Sequence, residues 1–126
     1  MKMRVVIPGQ PPSANSQYVR RPGGLQMAKR EEVATYANGV ALLVRTARPI
    51  GFLRPGPGQP QSQVRLVFDF YLSRPVDADN MLKVLNDAIA QGLGVDDRIF
   101  LPCVRSLITK IAPRLARTEI EIEWPA

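Results

Sequence analysis

Apolar and polar residues alternate along the first eight positions, with Met3, Val5 and Ile7 set against Lys2, Arg4 and Val6. A period of two places every second side chain on one face, so the spacing predicts a half-buried opening strand. Pro8-Gly9-Gln10-Pro11-Pro12 stops it, and a polar loop is expected to about Gly24. From roughly Met27 to Ala47 the period changes. Val33, Ala37, Val40, Ala41 and Val44 recur at helical spacing and mark one face of an amphipathic helix, which Arg48-Pro49 ends. Four prolines and three glycines between positions 49 and 62 make that stretch a flexible connection within one domain.

Val64, Leu66, Phe68, Phe70 and Leu72 give the cleanest alternation in the chain and predict a core strand, with Asp69 solvated on its other face. A second helix is expected from a cap at Asp79 or Asn80 through about Gln91, closed by Gly92 and Gly94. Residues 98–110 read as a strand disturbed by Pro102. Thr118 to Trp124 alternate Ile120, Ile122 and Trp124 with Glu119, Glu121 and Glu123, as a last strand would. The order β-α-β-α-β-β predicts a two-layer α+β domain, a mixed sheet with two helices, spanning residues 1–126.

Composition narrows the chemistry. Histidine is absent, which removes imidazole bases, Ser-His-Asp devices and histidine-bound zinc. The single cysteine, Cys103, excludes intramolecular disulfides and thiolate clusters, and its apolar neighbours suggest a small buried hydrophobe. No apolar run is long enough to span a bilayer or to act as a secretory signal, so a cytoplasmic protein without membrane contact is expected. The formal net charge is +6, and residues 1–30 carry six cations and no acid. Such a balance favours a polyanionic partner over a merely solubilising surface.

Against that background the window 77–97 stands out, because five acids (Asp77, Asp79, Asp87, Asp96, Asp97) face one cation, Lys83. Crowded carboxylates repel one another unless a cation offsets them. Oxygen-only ligands favour Mg²⁺ or Mn²⁺ over zinc or copper. An EF-hand does not fit, since the sixth and twelfth residues from Asp77 are Leu82 and Ala88. Asp77 and Asp79 converge if the backbone stays extended, while Asp79, Lys83 and Asp87 share a helical face at spacings of four. A capped helix with a decorated surface stripe would show the same Asp79–Lys83–Asp87 spacing; Asp77 and the Asp96-Asp97 pair go beyond it.

Asp77-Ala78-Asp79-Asn80, Lys83, Asp87-Ala88 and, after a glycine turn, Asp96-Asp97-Arg98-Ile99 resemble the RusA family of Holliday junction resolvases. Ile7-Pro8-Gly9-Gln10-Pro11-Pro12-Ser13-Ala14-Asn15 is similar to that family's first strand and loop. The resemblance implies a homodimeric endodeoxyribonuclease that uses Mg²⁺, or Mn²⁺ as a substitute and no organic cofactor, to nick four-way junction DNA symmetrically in recombination and repair. It implies Asp77, Asp79 and Asp97 as metal-binding acids, with Asp96 ranked below Asp97, and Lys83 as the catalytic lysine. Asn15, Tyr18, Arg20, Arg21, Arg74 and Lys110 are the candidate DNA contacts. Arg74 stands in for a basic residue at Val76, and after the interruption at Pro102 either Arg105 or Lys110 supplies the later cation. Two other functions remain open: a non-catalytic basic DNA-binding protein, and a metal-dependent nuclease for other branched DNA or RNA.

Overall fold

The computed structural model describes residues 1–12, 18–20, 27–29, 31–52 and 63–125, of which 18–20 and 27–29 are described through the backbone. The chain runs β1 (Lys2–Pro8), β2 (Tyr18–Arg20), β3 (Met27–Lys29), α1 (Glu31–Ala47), β4 (Val64–Tyr71), α2 (Ala78–Leu93), β5 (Phe100–Ile108) and β6 (Arg117–Glu123). The expected β-α-β-α-β-β order is present, with one addition. β2 and β3 form a small antiparallel pair where a loop and the start of α1 were expected. α1 therefore begins at Glu31 rather than near Met27. Glu31 and Glu32 fill its first turn, where the helix dipole favours negative charge, and its buried face opens two residues later at Val33.

The main sheet has the order β1-β6-β4-β5, so β1 and β5 are its edges. β6 is antiparallel to both neighbours, while β4 and β5 are parallel and joined by the α2 crossover. The alternating apolar residues of β1, β4 and β6 meet α1 and α2 in one core, where Phe68, Phe70, Leu66, Ile120 and Ile122 are fully buried with Val40, Val44, Met81, Leu85 and Ile89. Among the described residues no helix is long and apolar enough to cross a membrane.

Two expectations change on the sheet face away from the helices. Asp69 is not solvated; it is buried, and Arg105 donates to it through Nε at 3.1 Å and Nη2 at 2.5 Å. The register between β4 and β5 slips from Phe68 opposite Val104 to Asp69 opposite Ser106, leaving Arg105 as the extra residue of a bulge. That bulge is how the guanidinium reaches Asp69. Cys103 is not buried but exposed, because β5 lies at the sheet edge, and Pro102 is tolerated there because an edge strand can lack an N–H. Across the rest of the face, Arg4 and Arg117 pair with Glu119, and Lys2 with Glu123. The polar half of the β6 alternation is thus neutralised by its neighbours.

The Arg105 guanidinium holds the Asp69 carboxyl below its ordinary value, against the opposing effect of burial. A lowered folded-state value means that the stabilisation is present above the usual carboxylate range and is lost as pH falls through the folded value. Arg105→Ala is therefore expected to cost about 1–3 kcal/mol at pH 7, nearer the lower end because Arg105 is half exposed. Urea denaturation should show the gap to wild type narrowing as pH falls through the carboxylate range towards the lowered folded value of Asp69, because without Arg105 the buried carboxyl takes up its proton sooner.

Candidate active site

The acidic stripe is delivered by the segment that leaves β4. Leu72 donates its N–H to the Ile108 carbonyl at 2.8 Å and accepts from Ile111 at 2.9 Å, so this segment is tied to the strand beside it. The next two residues are held from the other side of the sheet by Gln10. Its Oε1 accepts from the Ser73 N–H at 2.9 Å and from the Ser73 hydroxyl at 3.1 Å, and its Nε2 donates to the Arg74 carbonyl at 2.9 Å. Gln10 in turn is set by Gly9, whose φ of +92° suits glycine and whose N–H reaches the Ala116 carbonyl at 2.8 Å. One side-chain amide thus replaces a missing strand neighbour and fixes the approach to Asp77.

Asp77, not Asp79 or Asn80, caps α2. Its backbone is extended, and its Oδ1 accepts from the Asp79 N–H at 3.0 Å. The extended geometry stops there, since Asp79 is already helical. Both carboxylates are exposed at the first turn of α2, where the helix dipole stabilises negative charge. Lys83 and Asp87 follow one and two turns later on the same exposed stripe, as their spacing predicted. Gly94, at φ 73°, closes the helix; Gly92 lies within it and serves close packing against α1.

Asp96 and Asp97 divide into two roles. Asp96 caps the short 3-10 turn Asp97–Ile99, accepting from the Arg98 N–H at 2.9 Å and meeting the Arg98 guanidinium at 3.1 Å. The Arg98 N–H, and then its guanidinium, holds the Asp96 carboxyl below its ordinary value. Asp97 is exposed and does not perform that capping.

The pair lies far from Asp77. α2 has 16 residues, which at a helical rise of 1.5 Å each make it about 24 Å long. Strand pairing gives the same result, because β5 opens opposite Val64, at the amino end of β4, whereas Asp77 follows the carboxyl end. Among the described residues no three carboxylates gather around one point. A cation held by Asp77 and Asp79 therefore does not also touch Asp97 of the same chain.

Exposed cations collect at the Asp77 end. Arg74 lies between Ser73 and the cap, and Lys110 occupies the turn after β5, with φ 63°, one residue before the bond from Ile111 to Leu72. Arg114, in the 3-10 turn Pro113–Leu115 just before β6, joins them. Arg105 is committed to Asp69, so of the later basic pair Lys110 is the better placed to meet a phosphate. Asn15 and Arg21 lie outside the described residues. Tyr18 and Arg20 lie in β2, paired with β3. Gln10 and Arg114 were missed as site residues: Gln10 stands within the Ile7–Asn15 stretch but no spacing marks its role, and Arg114 carries no signal beyond its charge.

The exposed oxygen donors Asp77 and Asp79 suit a hard divalent ion, which commonly keeps several waters and takes only one or two carboxylates. No nitrogen or thiolate ligand stands among them. In comparison with known protein families, residues 8–123 match the one described as endodeoxyribonuclease RusA, a span that covers Gln10, α2, β5 and all of β6. A search of curated proteins finds no match.

Proposed function

The chain belongs to the endodeoxyribonuclease RusA family, whose activity is the resolution of Holliday junctions, and we propose that it is a Mg²⁺-dependent homodimer that resolves four-way DNA by paired symmetric nicks. The observation that carries this reading is the matched stripe itself. Asp77, Asp79 and Lys83 stand exposed on the first turns of α2, beside the cations Arg74 and Lys110. Mn²⁺ would substitute for Mg²⁺, and the setting is cytoplasmic recombination and repair.

In this reading Asp77 and Asp79 would hold the ion, and the chemistry it would supply when bound is polarisation of a scissile phosphate and a lowered pKa for an attacking water. Lys83, one turn from Asp79, orients that water and offsets charge building on the phosphorus. Arg74 and Lys110 grip flanking phosphates, so affinity falls steeply with salt. Asp97 is too far to serve its own chain's Asp77 and Asp79. As a third ligand it comes from the second copy, with Asp96 holding the turn that presents it. A dimer with two such sites has the symmetry of a four-way junction.

The bond from Asp79 N–H to Asp77 also suits a second reading, in which the acids only cap and decorate a helix of a DNA-binding protein. Incubation with four-way junction, flap, duplex and RNA substrates, with Mg²⁺ and with EDTA, separates the readings. The proposal requires Mg²⁺-dependent paired nicks confined to the junction. Binding without any cleavage would support the second reading, and comparable cutting of flaps or RNA would indicate a broader nuclease.

Gln10 should behave as a positioning residue. Gln10→Ala removes the three bonds that hold the approach to Asp77, and misplacing a reacting group by about 1 Å can cost roughly 100-fold in rate. Single-turnover cleavage is expected to fall about 10- to 100-fold, while gel-shift affinity for the junction changes little. Equal losses in both would show that Gln10 contributes to binding instead.

A further inference from the structure

One cation at the Asp77 end is turned inward. Arg117 donates through Nη1 to the Leu115 carbonyl at 3.0 Å and through Nε to Glu119 at 2.8 Å, and its guanidinium lies 4.0 Å above the Tyr71 ring. What it holds is the 3-10 turn Pro113–Leu115. The Leu115 N–H closes that turn on the Ala112 carbonyl at 2.8 Å, and the Gly9 N–H ties the next carbonyl, of Ala116, to the end of β1. On the other side, the Ile111 N–H reaches the Leu72 carbonyl at 2.9 Å. Lys110 before it has a φ of 63°, the one positive value outside glycine among the described residues. A non-glycine residue keeps such a backbone only where its surroundings fix it. The connection from β5 to β6 is thus held at both ends and in the middle.

Yet the turn covers no core. Ala112, Pro113, Arg114 and Leu115 are all exposed, Leu115 at 49%. A single exposed leucine on a loose loop is ordinary. This one sits on a braced turn, next to the exposed Arg114 and five residues after the exposed Lys110. Gripping phosphates uses the cations and gains nothing from the leucine. Parting stacked bases uses both, since an apolar side chain inserts between base steps while cations hold the backbone beside it. The turn also shares supports with the approach to Asp77. Gly9, bonded to Ala116, precedes Gln10, and Gln10 holds Ser73 and Arg74.

We propose that Leu115 is a specificity-determining residue that enters between base pairs at the crossover of a four-way junction and unstacks them. Arg114 and Lys110 take the adjoining phosphates, and the opening lets the scissile phosphate reach Asp77 and Asp79. That last step rests on the nuclease reading; the insertion needs only junction binding.

Junctions carrying 2-aminopurine beside the crossover test the insertion, because its fluorescence rises when the base is unstacked. The wild-type chain in Ca²⁺ should raise it, and Leu115→Met should keep the rise. Leu115→Ala, at an exposed position, should lose the rise while gel-shift affinity stays within about threefold of wild type, phosphate contacts being intact. Single-turnover cleavage of a fully paired junction by Leu115→Ala should fall about 10- to 100-fold, and mismatches at the crossover, which remove the unstacking cost, should restore it. No rise with wild type, a rise undiminished in Leu115→Ala, or equal slowing on paired and mismatched junctions would overturn the proposal. If the rise depends on Leu115 but Mg²⁺ brings no nick, the insertion stands and the nuclease reading fails.

Discussion

Asp79→Asn is expected to abolish junction cleavage, by on the order of 100- to 1,000-fold, while junction affinity holds or rises. Asp79 is exposed at the start of α2, so the change removes a charge without opening the core. Asparagine is nearly the same size, and the weakened helix-dipole interaction costs only about 0.3–1 kcal/mol. The loss in rate would therefore not come from unfolding. Affinity should not fall, because one fewer carboxylate repels the phosphate backbone. Asp77→Asn is a useful companion, since asparagine caps helices as well as aspartate does. It should keep the capping bond to the Asp79 N–H and still lose cleavage. Single-turnover nicking in Mg²⁺ and gel shifts in Ca²⁺ measure the two effects separately. Normal cleavage by Asp79→Asn would remove Asp79 from the site.

The largest effect on stability is expected at Gly92. A Cβ there would lie 2.6 Å from the Ala41 carbonyl oxygen and 2.9 Å from the Val44 Cβ, so α1 and α2 are in contact where glycine leaves room. One of the obstructing atoms is backbone and cannot rotate away. Gly92→Val must separate the helices, with an overpacking cost of about 1–3 kcal/mol or more against a total stability of about 5–15 kcal/mol. A fall in Tm of roughly 10 °C should follow. Gly92→Ala should cost less, because alanine recovers about 1 kcal/mol of helix propensity. The two melting curves, compared with wild type, check both the size and the order of the effects.

The hydrophobic pattern made most of the main fold legible. Strict alternation identified β1, β4 and β6, and helical spacing identified α1 and α2, because these elements bury one face against a shared core. The β2–β3 pair falls in a polar stretch that carries no such pattern. Asp69 and Cys103 were misread for a common reason. Their environments depend on which strands are neighbours and which strand is the edge, and single-strand periodicity is silent on both. Gly92 and Gly94 look equivalent in sequence, yet one packs against α1 and the other turns the chain.

The candidate site was legible in its parts and not in its geometry. Spacing placed Asp79, Lys83 and Asp87 on one stripe, as found. It did not show that Asp77 folds back onto the helix as its cap, nor that Gln10 holds the approach. Nor did spacing show whether Asp96-Asp97 reach Asp77; the chain continues from them into β5 at the opposite end of the sheet. That separation, about the length of α2, is why the proposed site draws on two copies of the chain.

The most direct measurement mixes Asp79→Asn with Asp97→Asn, each inactive alone, by co-expression or by refolding together. If Asp97 acts on the partner's Asp77 and Asp79, a mixed dimer carries both lesions in one site and leaves the other intact. With random assortment about half of the dimers are mixed, so nicking of one junction strand should return to roughly a quarter of the wild-type level. Failure to recover any nicking, with mixed dimers verified by differential tags, would contradict a site shared between two copies.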